Sequence, residues 1–270
     1  MPKVRKSIAI LSIEGTNCDV ELRSAFTSLG ARAEIVELPQ LTREVEDPEL
    51  RRRISDYDMV LFPGGFSAGD YVRAGAIMAA RVKSALGKDL SEFLQDPSHL
   101  VGGICNGFQV LVELGLLPGE PRGRPSGPQA CLTTNDSAHF ECRPTFVAWE
   151  GGNFSPLKKV KKGSVYYFPS AHGEGKLVLR GSRGATLRDL EDRGQVLFRW
   201  VDPDGVRSGY PWNPNGSEGD LAGITNPDGT VFGLMPHPER SIEPGRRDRM
   251  LDPTPRAAVH TGRDFLGSLL

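Results

Sequence analysis

Leu100-Val-Gly-Gly-Ile-Cys-Asn-Gly-Phe-Gln-Val-Leu-Val-Glu-Leu-Gly115 contains the turn from which the rest of the chain is read. Its first five residues form a short apolar run suited to a buried strand. From Asn106 the spacing becomes helical and stops at Gly115. Cys105 stands on the turn between the two. Gly103 and Gly107 leave room on either side of it, as a tight strand-to-helix elbow requires. A cysteine taken alone reads as a small buried hydrophobe. The flanking glycines reverse that reading here, because a thiol at a helix N-terminus feels the positive end of the helix dipole and gains thiolate character. Cys18, Cys131 and Cys142 lack such a setting and keep the plainer reading.

Outward from this elbow, residues 7–13, 31–38 and 58–62 read as strands, and 19–29 and about 70–83 as helices. The alternation predicts an α/β fold with a mostly parallel central sheet and helices on both faces. The second half is richer in Gly and Pro. Its strands, at 164–168, 176–179, 196–201 and 231–235, lack regular helices between them and predict an antiparallel extension of the same sheet. The best linker candidate is 119–127, yet nothing beyond it resembles an independent unit. A single domain over 1–270 is expected, with its core at about 7–241 and a C-terminal extension, 242–270, that ends in a short helix near 257–269.

The hydrophobic share of 38% suffices for a sizeable core. Thirty-three basic side chains against 34 acidic ones leave a net charge of −1, which gives no general attraction to nucleic acid or to a membrane surface. No apolar run approaches the ~20 residues of a membrane span, and the N-terminus carries no secretory pattern. Four cysteines do not make a disulfide scaffold, and Cys131, His139 and Cys142 lack zinc-ligand spacing. The expectation is a cytoplasmic protein without a metal site.

A thiolate used for acyl transfer needs a base, a carboxylate to orient that base, and an oxyanion hole. Two His-x-Glu pairs are available, His172-Gly-Glu174 and His237-Pro-Glu239. In extended chain, residues i and i+2 face the same side, so either glutamate suits its histidine. His237 follows an apolar strand, whose carboxyl end is where sites of open α/β sheets collect, and Pro236 and Pro238 stiffen it. His172 lies beside a Gly-Glu-Gly loop, a looser setting. Pro63-Gly-Gly-Phe66 ends another strand, and the N–H groups of Gly65 and Phe66 are candidates for an oxyanion hole together with that of Asn106.

Several motifs, in order, resemble class I glutamine amidotransferases and, more narrowly, the glutaminase-subunit family of phosphoribosylformylglycinamidine synthase. They are Pro63-Gly-Gly-Phe-Ser67 with Gly69-Asp-Tyr71, Gly103-Ile-Cys-Asn-Gly-Phe-Gln109, Ala171-His-Gly-Glu-Gly175, Asn213-Pro-Asn-Gly-Ser217 and Met235-Pro-His-Pro-Glu-Arg240. The resemblance spans roughly 7–241. It implies a flavodoxin-like sheet, a Cys105–His237–Glu239 triad, and glutamine as substrate. It also implies that Gln109, Asn135, Ser137, Asn215 and Ser217 hold glutamine or shape its pocket. The chain departs from the family in having Ala68 where a tyrosine is usual. It also has Ile13-Glu14-Gly15 in place of Phe-Pro-Gly.

No phosphate-binding Gly-x-x-x-x-Gly-Lys-[Ser/Thr] stretch and no Gly-x-Gly-x-x-Gly between strand and helix occurs. The resemblance therefore implies that ATP and Mg act on a partner, the large synthase subunit, joined by a small bridging subunit, and that this chain needs no cofactor. Two other readings remain open on the sequence alone. One is a different amidotransferase or a γ-glutamyl hydrolase of the same fold; the other is a non-catalytic regulatory module on that scaffold.

Overall fold

The N-terminal half alternates strand and helix: β1 (Ser7–Ser12), α1 (Asp19–Ser28), β2 (Arg32–Glu37), α2 (Leu38–Thr42), β3 (Met59–Phe62), α3 (Ala76–Phe93), β4 (Leu100–Ile104) and α4 (Asn106–Glu113). Then follow β5 (Ala130–Thr133), β6 (Glu141–Arg143), β7 (Phe146–Trp149), β8 (Val165–Tyr167), β9 (Ser170–His172), β10 (Lys176–Leu179), α5 (Leu187–Asp192), β11 (Val196–Val201), β12 (Leu221–Thr225), β13 (Val231–Leu234) and α6 (Gly262–Ser268). The structure, a computed structural model, describes residues 5–42, 44–121, 127–181, 185–242 and 259–270.

The main sheet runs β2-β1-β3-β4-β13-β12-β11-β7-β8. Its ladders are parallel from β2 through β13 and antiparallel from there to β8. This is the α/β architecture expected from the sequence, except that residues 176–179, read as part of the antiparallel extension, pair with β5 outside this sheet. β3 is buried at every position, the pattern of a parallel strand covered on both faces. Pairing of Phe62 with Gly103, and of Ile104 with Leu234, brings the carboxyl ends of β3, β4 and β13 level with one another. Two ribbons, β5 with β10 and β6 with β9, lie outside this sheet.

α4 is buried from Asn106 through Val112. Its close seating depends on two glycines. A Cβ at Gly107 would stand 1.9 Å from the Phe62 carbonyl oxygen, and one at Gly103 would stand 2.4 Å from that of Gly107.

Some expectations need correction. α3 begins at Ala76, not near 70, because Ala68, Gly69 and Asp70 take left-handed φ values of 51°, 72° and 52°. The helix then continues to Phe93, where Leu86, Leu90 and Phe93 repeat at helical spacing into the core. The strand read at 31–38 ends at Glu37, and Leu38 and Pro39 open α2, whose first turn tolerates proline. β12 has no counterpart in the sequence reading. Of the linker candidate, residues 122–126 lie outside the described residues, as do 243–258 of the C-terminal extension.

The last helix is part of the core. Phe265 is fully buried and its ring meets those of Phe154, Phe168, Phe198 and Phe232. Just before it, the His260 amide donates to Val165 O, and His260 O accepts from the Tyr167 amide, both at 2.9 Å. The Gly262 amide donates to Ser241 Oγ at 2.9 Å, and a Cβ there would lie 1.7 Å from the Pro238 carbonyl oxygen. Among the described residues no helix is long and apolar enough to cross a membrane.

Candidate active site

Cys105 links β4 to α4 with φ 52° and ψ −108°, a backbone state that costs a non-glycine residue about 1–3 kcal/mol. The elbow is held by the Cys105 amide, which donates to Leu234 O at 2.7 Å. Its thiol, 6% exposed, donates to Ala171 O at 3.5 Å. The side chain borders a pocket of about 310 Å³ at the level carboxyl ends of β3, β4 and β13.

His237 lines the same pocket. Its amide donates to Pro169 O at 2.7 Å, and its Nδ1 meets Glu239 Oε1 at 2.6 Å. The i, i+2 spacing thus delivers the carboxylate to the ring. Nε2 of His237 and Oε2 of Glu239 are buried without a partner. Burial alone would drive the proton from this imidazole. The Glu239 carboxylate and the neighbouring Cys105 outweigh it and push the pKa up to about 10. The convergence shows at Gly64, where a Cβ would stand 2.7 Å from His237 Cε1, 3.3 Å from Cys18 Sγ and 3.4 Å from Cys105 Cβ. Only a residue without a side chain fits between these groups.

His172, expected in a loose loop, is instead 2% exposed in β9, with Nδ1 3.3 Å from Asn135 Oδ1. Burial, then the charge of His237, push its pKa down to about 3, so it is a neutral ring. Its Glu174 does not bond to it; Glu174 Oε2 accepts from the Ala74 amide at 3.3 Å.

The oxyanion-hole candidates differ in their placement. The Asn106 amide is at the first position of α4, where helical donors have no acceptor within the helix. Gly65 borders the pocket with φ 134°, a backbone that favours glycine. The Phe66 amide is engaged elsewhere, donating to Gly15 O at 3.1 Å. Phe66 therefore does not offer its N–H to the pocket in this conformation.

Of the residues implied for glutamine, Gln109 borders the pocket, donating to Glu174 O at 2.7 Å and accepting from Asn106 Nδ2 at 3.0 Å. Asn135, Ser137, Asn215 and Ser217 do not line it. Asn135 holds the backbone behind it, donating to His172 O and accepting from the Gly175 amide. Ser217 Oγ accepts from the Leu177 amide at 3.0 Å, and Asn215 Oδ1 accepts from Ser217. Ser137 accepts from the His139 amide. Asn135 and Ser217 are thus spent on backbone groups that burial would leave unpaired, while Asn215 Nδ2 is buried without a partner.

Cys18, read as an ordinary buried cysteine, borders the pocket too. Its Sγ lies 3.3 Å from Arg240 Nη2, and Arg240 in turn pairs with Glu21 at 3.0 Å. Burial and the charge of Glu239 push the Cys18 thiol up to about 12. Donor atoms of Cys18, His237 and Glu239 lie within 4.8 Å of one another. The guanidinium against that sulfur opposes a cation there.

Comparison with known proteins identifies the family of the chain. The model of the CobB/CobQ-like glutamine amidotransferase domain matches residues 5–256. The phosphoribosylformylglycinamidine synthase subunit PurQ of Archaeoglobus fulgidus is 49% identical, over 92% of this chain and 93% of its own. The subunit of the same name from Picrophilus torridus is 42% identical over 88% of each. Among solved structures, that of PurLQS from Thermotoga maritima superposes with a TM-score of 0.67 at 29% identity, covering 89% of this chain and 91% of that one. The chain belongs to the CobB/CobQ-like glutamine amidotransferase family.

Proposed function

We propose that this chain is the cytoplasmic glutaminase subunit of phosphoribosylformylglycinamidine synthase, releasing ammonia from glutamine for purine biosynthesis. The observation that carries the reading is the convergence of Cys105 with the His237–Glu239 pair around Gly64, in a pocket at the carboxyl ends of parallel strands. Relatives up to 49% identical that bear the synthase-subunit name support it.

In the proposed reaction, Cys105 Sγ attacks the carboxamide carbon of glutamine, and the π-electrons move onto oxygen. The Asn106 and Gly65 amides stabilise that oxyanion, and Phe66 joins them once its N–H is freed. Collapse of the adduct breaks the C–N bond, and the leaving amine takes the proton of His237 as ammonia. Water then gives a proton to His237 as it attacks the γ-glutamyl thioester, and C–S cleavage yields glutamate and restores the thiolate. Glu239 keeps the ring oriented and stabilises its charged form throughout.

ATP-dependent chemistry, with its Mg, is assigned to the large synthase subunit, with a small bridging subunit completing the assembly. The solved PurLQS assembly of Thermotoga maritima supports such a complex. The test is glutamate release by the purified chain, alone and with its synthase, beside synthase fed with ammonia. Glutamine-dependent synthesis that did not require this chain would overturn the assignment.

A further inference from the structure

Cys18 has no part in the proposed glutaminase chemistry, yet the fold brings it to the nucleophile. Its amide donates to Gly64 O at 3.2 Å, so the turn after β1 runs beside the turn after β3. Cys18 Sγ and Cys105 Cβ lie 3.3 Å and 3.4 Å from one point, where a Cβ of Gly64 would stand. Gly64 contributes no side chain to separate them. The two cysteines, 3% and 6% exposed, both border the pocket of about 310 Å³, which is open to a molecule as small as hydrogen peroxide. Cys131 and Cys142, on β5 and β6, do not border it. We propose that Cys18 is the resolving thiol of a reversible disulfide with Cys105, formed when a peroxide oxidises the nucleophile.

The groups around the two sulfurs supply the proton transfers that this needs. Cys18 Sγ, a ring nitrogen of His237 and an oxygen of Glu239 lie within 4.8 Å of one another. Thiolates beside a protonated histidine are the ones that peroxides oxidise. The Cys105 thiolate attacks one oxygen of hydrogen peroxide, the O–O bond breaks, and the departing hydroxide takes the His237 proton to become water. The sulfur is oxidised to sulfenic acid as the peroxide is reduced. The site has then lost a negative charge that helped to hold the proton on His237, and the neutral ring can accept one. His237 withdraws the thiol proton of Cys18, whose sulfur attacks that of Cys105. The S–S bond forms, the S–O bond breaks, and hydroxide leaves as water with that proton. Arg240 Nη2, 3.3 Å from Cys18 Sγ, stabilises the thiolate as it develops. In the reduced protein, burial and the charge of Glu239 keep Cys18 protonated, so it becomes a nucleophile only after Cys105 has been oxidised. The bond silences the site and spares Cys105 the irreversible sulfinic and sulfonic acids.

The test treats the purified full-length chain with hydrogen peroxide and maps its peptides by mass spectrometry without reduction. A peptide joining Cys18 to Cys105 should dominate. Glutamine hydrolysis, measured after addition to untreated synthase, should fall to near zero, and dithiothreitol should restore nearly all of it. In Cys18→Ser the same treatment should carry Cys105 to sulfinic acid. Dithiothreitol should then restore only a small part of that variant's own untreated activity. The Cys131→Ser/Cys142→Ser double variant should behave as the native chain does. Sulfinic acid at Cys105 of the native chain without the linked peptide, a bridge to Cys131 or Cys142 instead, or equal recovery in Cys18→Ser would each overturn the proposal. The linked peptide is read on native protein, so it does not depend on the folding of a variant or on glutamine being the substrate.

Discussion

The Phe66 amide donates to the Gly15 carbonyl at 3.1 Å, which leaves the proposed oxyanion hole one donor short. The rim next to it is apolar and open: Phe66 and Phe140, whose rings lie 6.5 Å apart, are about half exposed, and Tyr71 and Val72 more so. A synthase that binds this rim more tightly when Phe66 N–H faces the pocket will shift the turn by that difference in affinity. One hole donor is typically worth ~10²–10³ in rate. Glutamate release by the isolated chain should therefore rise by about that factor when synthase, nucleotide and substrate are added. Equal rates would mean that the hole needs no partner.

A glutamine-like electrophile should label Cys105 ahead of every other thiol. Cys18 shares the pocket, but its pKa of about 12 keeps it protonated, and the exposed Cys142 has no adjacent histidine–glutamate pair. Cys105→Ala should abolish glutaminase activity while the protein remains folded. Peptide mapping that placed the adduct on Cys18 would refute the assignment.

The two histidines should separate under mutation. His237→Ala is expected to lower glutamine hydrolysis by at least the ~10²–10⁴ of a lost general base. His172→Asn, at a ring that is already neutral, should retain far more, with its loss showing in stability. Activity assays on both variants settle which pair carries the chemistry.

Protonation of His237 couples the site to stability. Its pKa is raised from 6.5 to about 10, so the folded chain holds a proton that the unfolded chain releases near neutrality. That stabilisation is complete below pH 6.5 and disappears as pH climbs to about 10. Glu239→Gln removes the main support of the charged ring. Native protein should lose more thermal stability between pH 7 and 10 than this variant does, and its Cys105 should react faster with iodoacetamide at pH 7. Identical pH profiles would show that Glu239 does not hold the proton.

Gly262→Ala should destabilise the fold by ~1–3 kcal/mol, the usual cost of overpacking, because its Cβ would press on the Pro238 carbonyl. Pro238 lies between His237 and Glu239, so turnover should fall as well. Denaturant melts and kcat measured side by side check both effects.

The elbow at Cys105 was legible because flanking glycines report a close approach that no other residue type permits. His237 and Glu239 were legible from their place after an apolar strand between stiffening prolines, since the same two-residue spacing in His172 and Glu174 makes no such bond. Cys18 was hidden, since its place beside His237 depends on the turn after β1 meeting the turn after β13 across two intervening strands. Ala68 and Asp70 concealed the start of α3, for neither residue type announces a left-handed φ. Whether Asn135, Asn215 and Ser217 hold a substrate or shape its pocket was not legible, because a polar side chain in a motif looks the same whether it serves a ligand or the backbone behind it.

The packing of α6 against the Pro238 turn also sets an order of events during synthesis. Domains emerge from the ribosome N-terminal part first, at about 5–20 residues per second. β1 through α4 can assemble while translation continues, but the elbow bearing the thiol waits for Leu234 of β13, whose carbonyl holds the Cys105 amide. The turn bearing His237 and Glu239 gains its buttress only after residues 260–268 have cleared the exit tunnel. Until then the nascent chain carries a nucleophile whose base is unbraced.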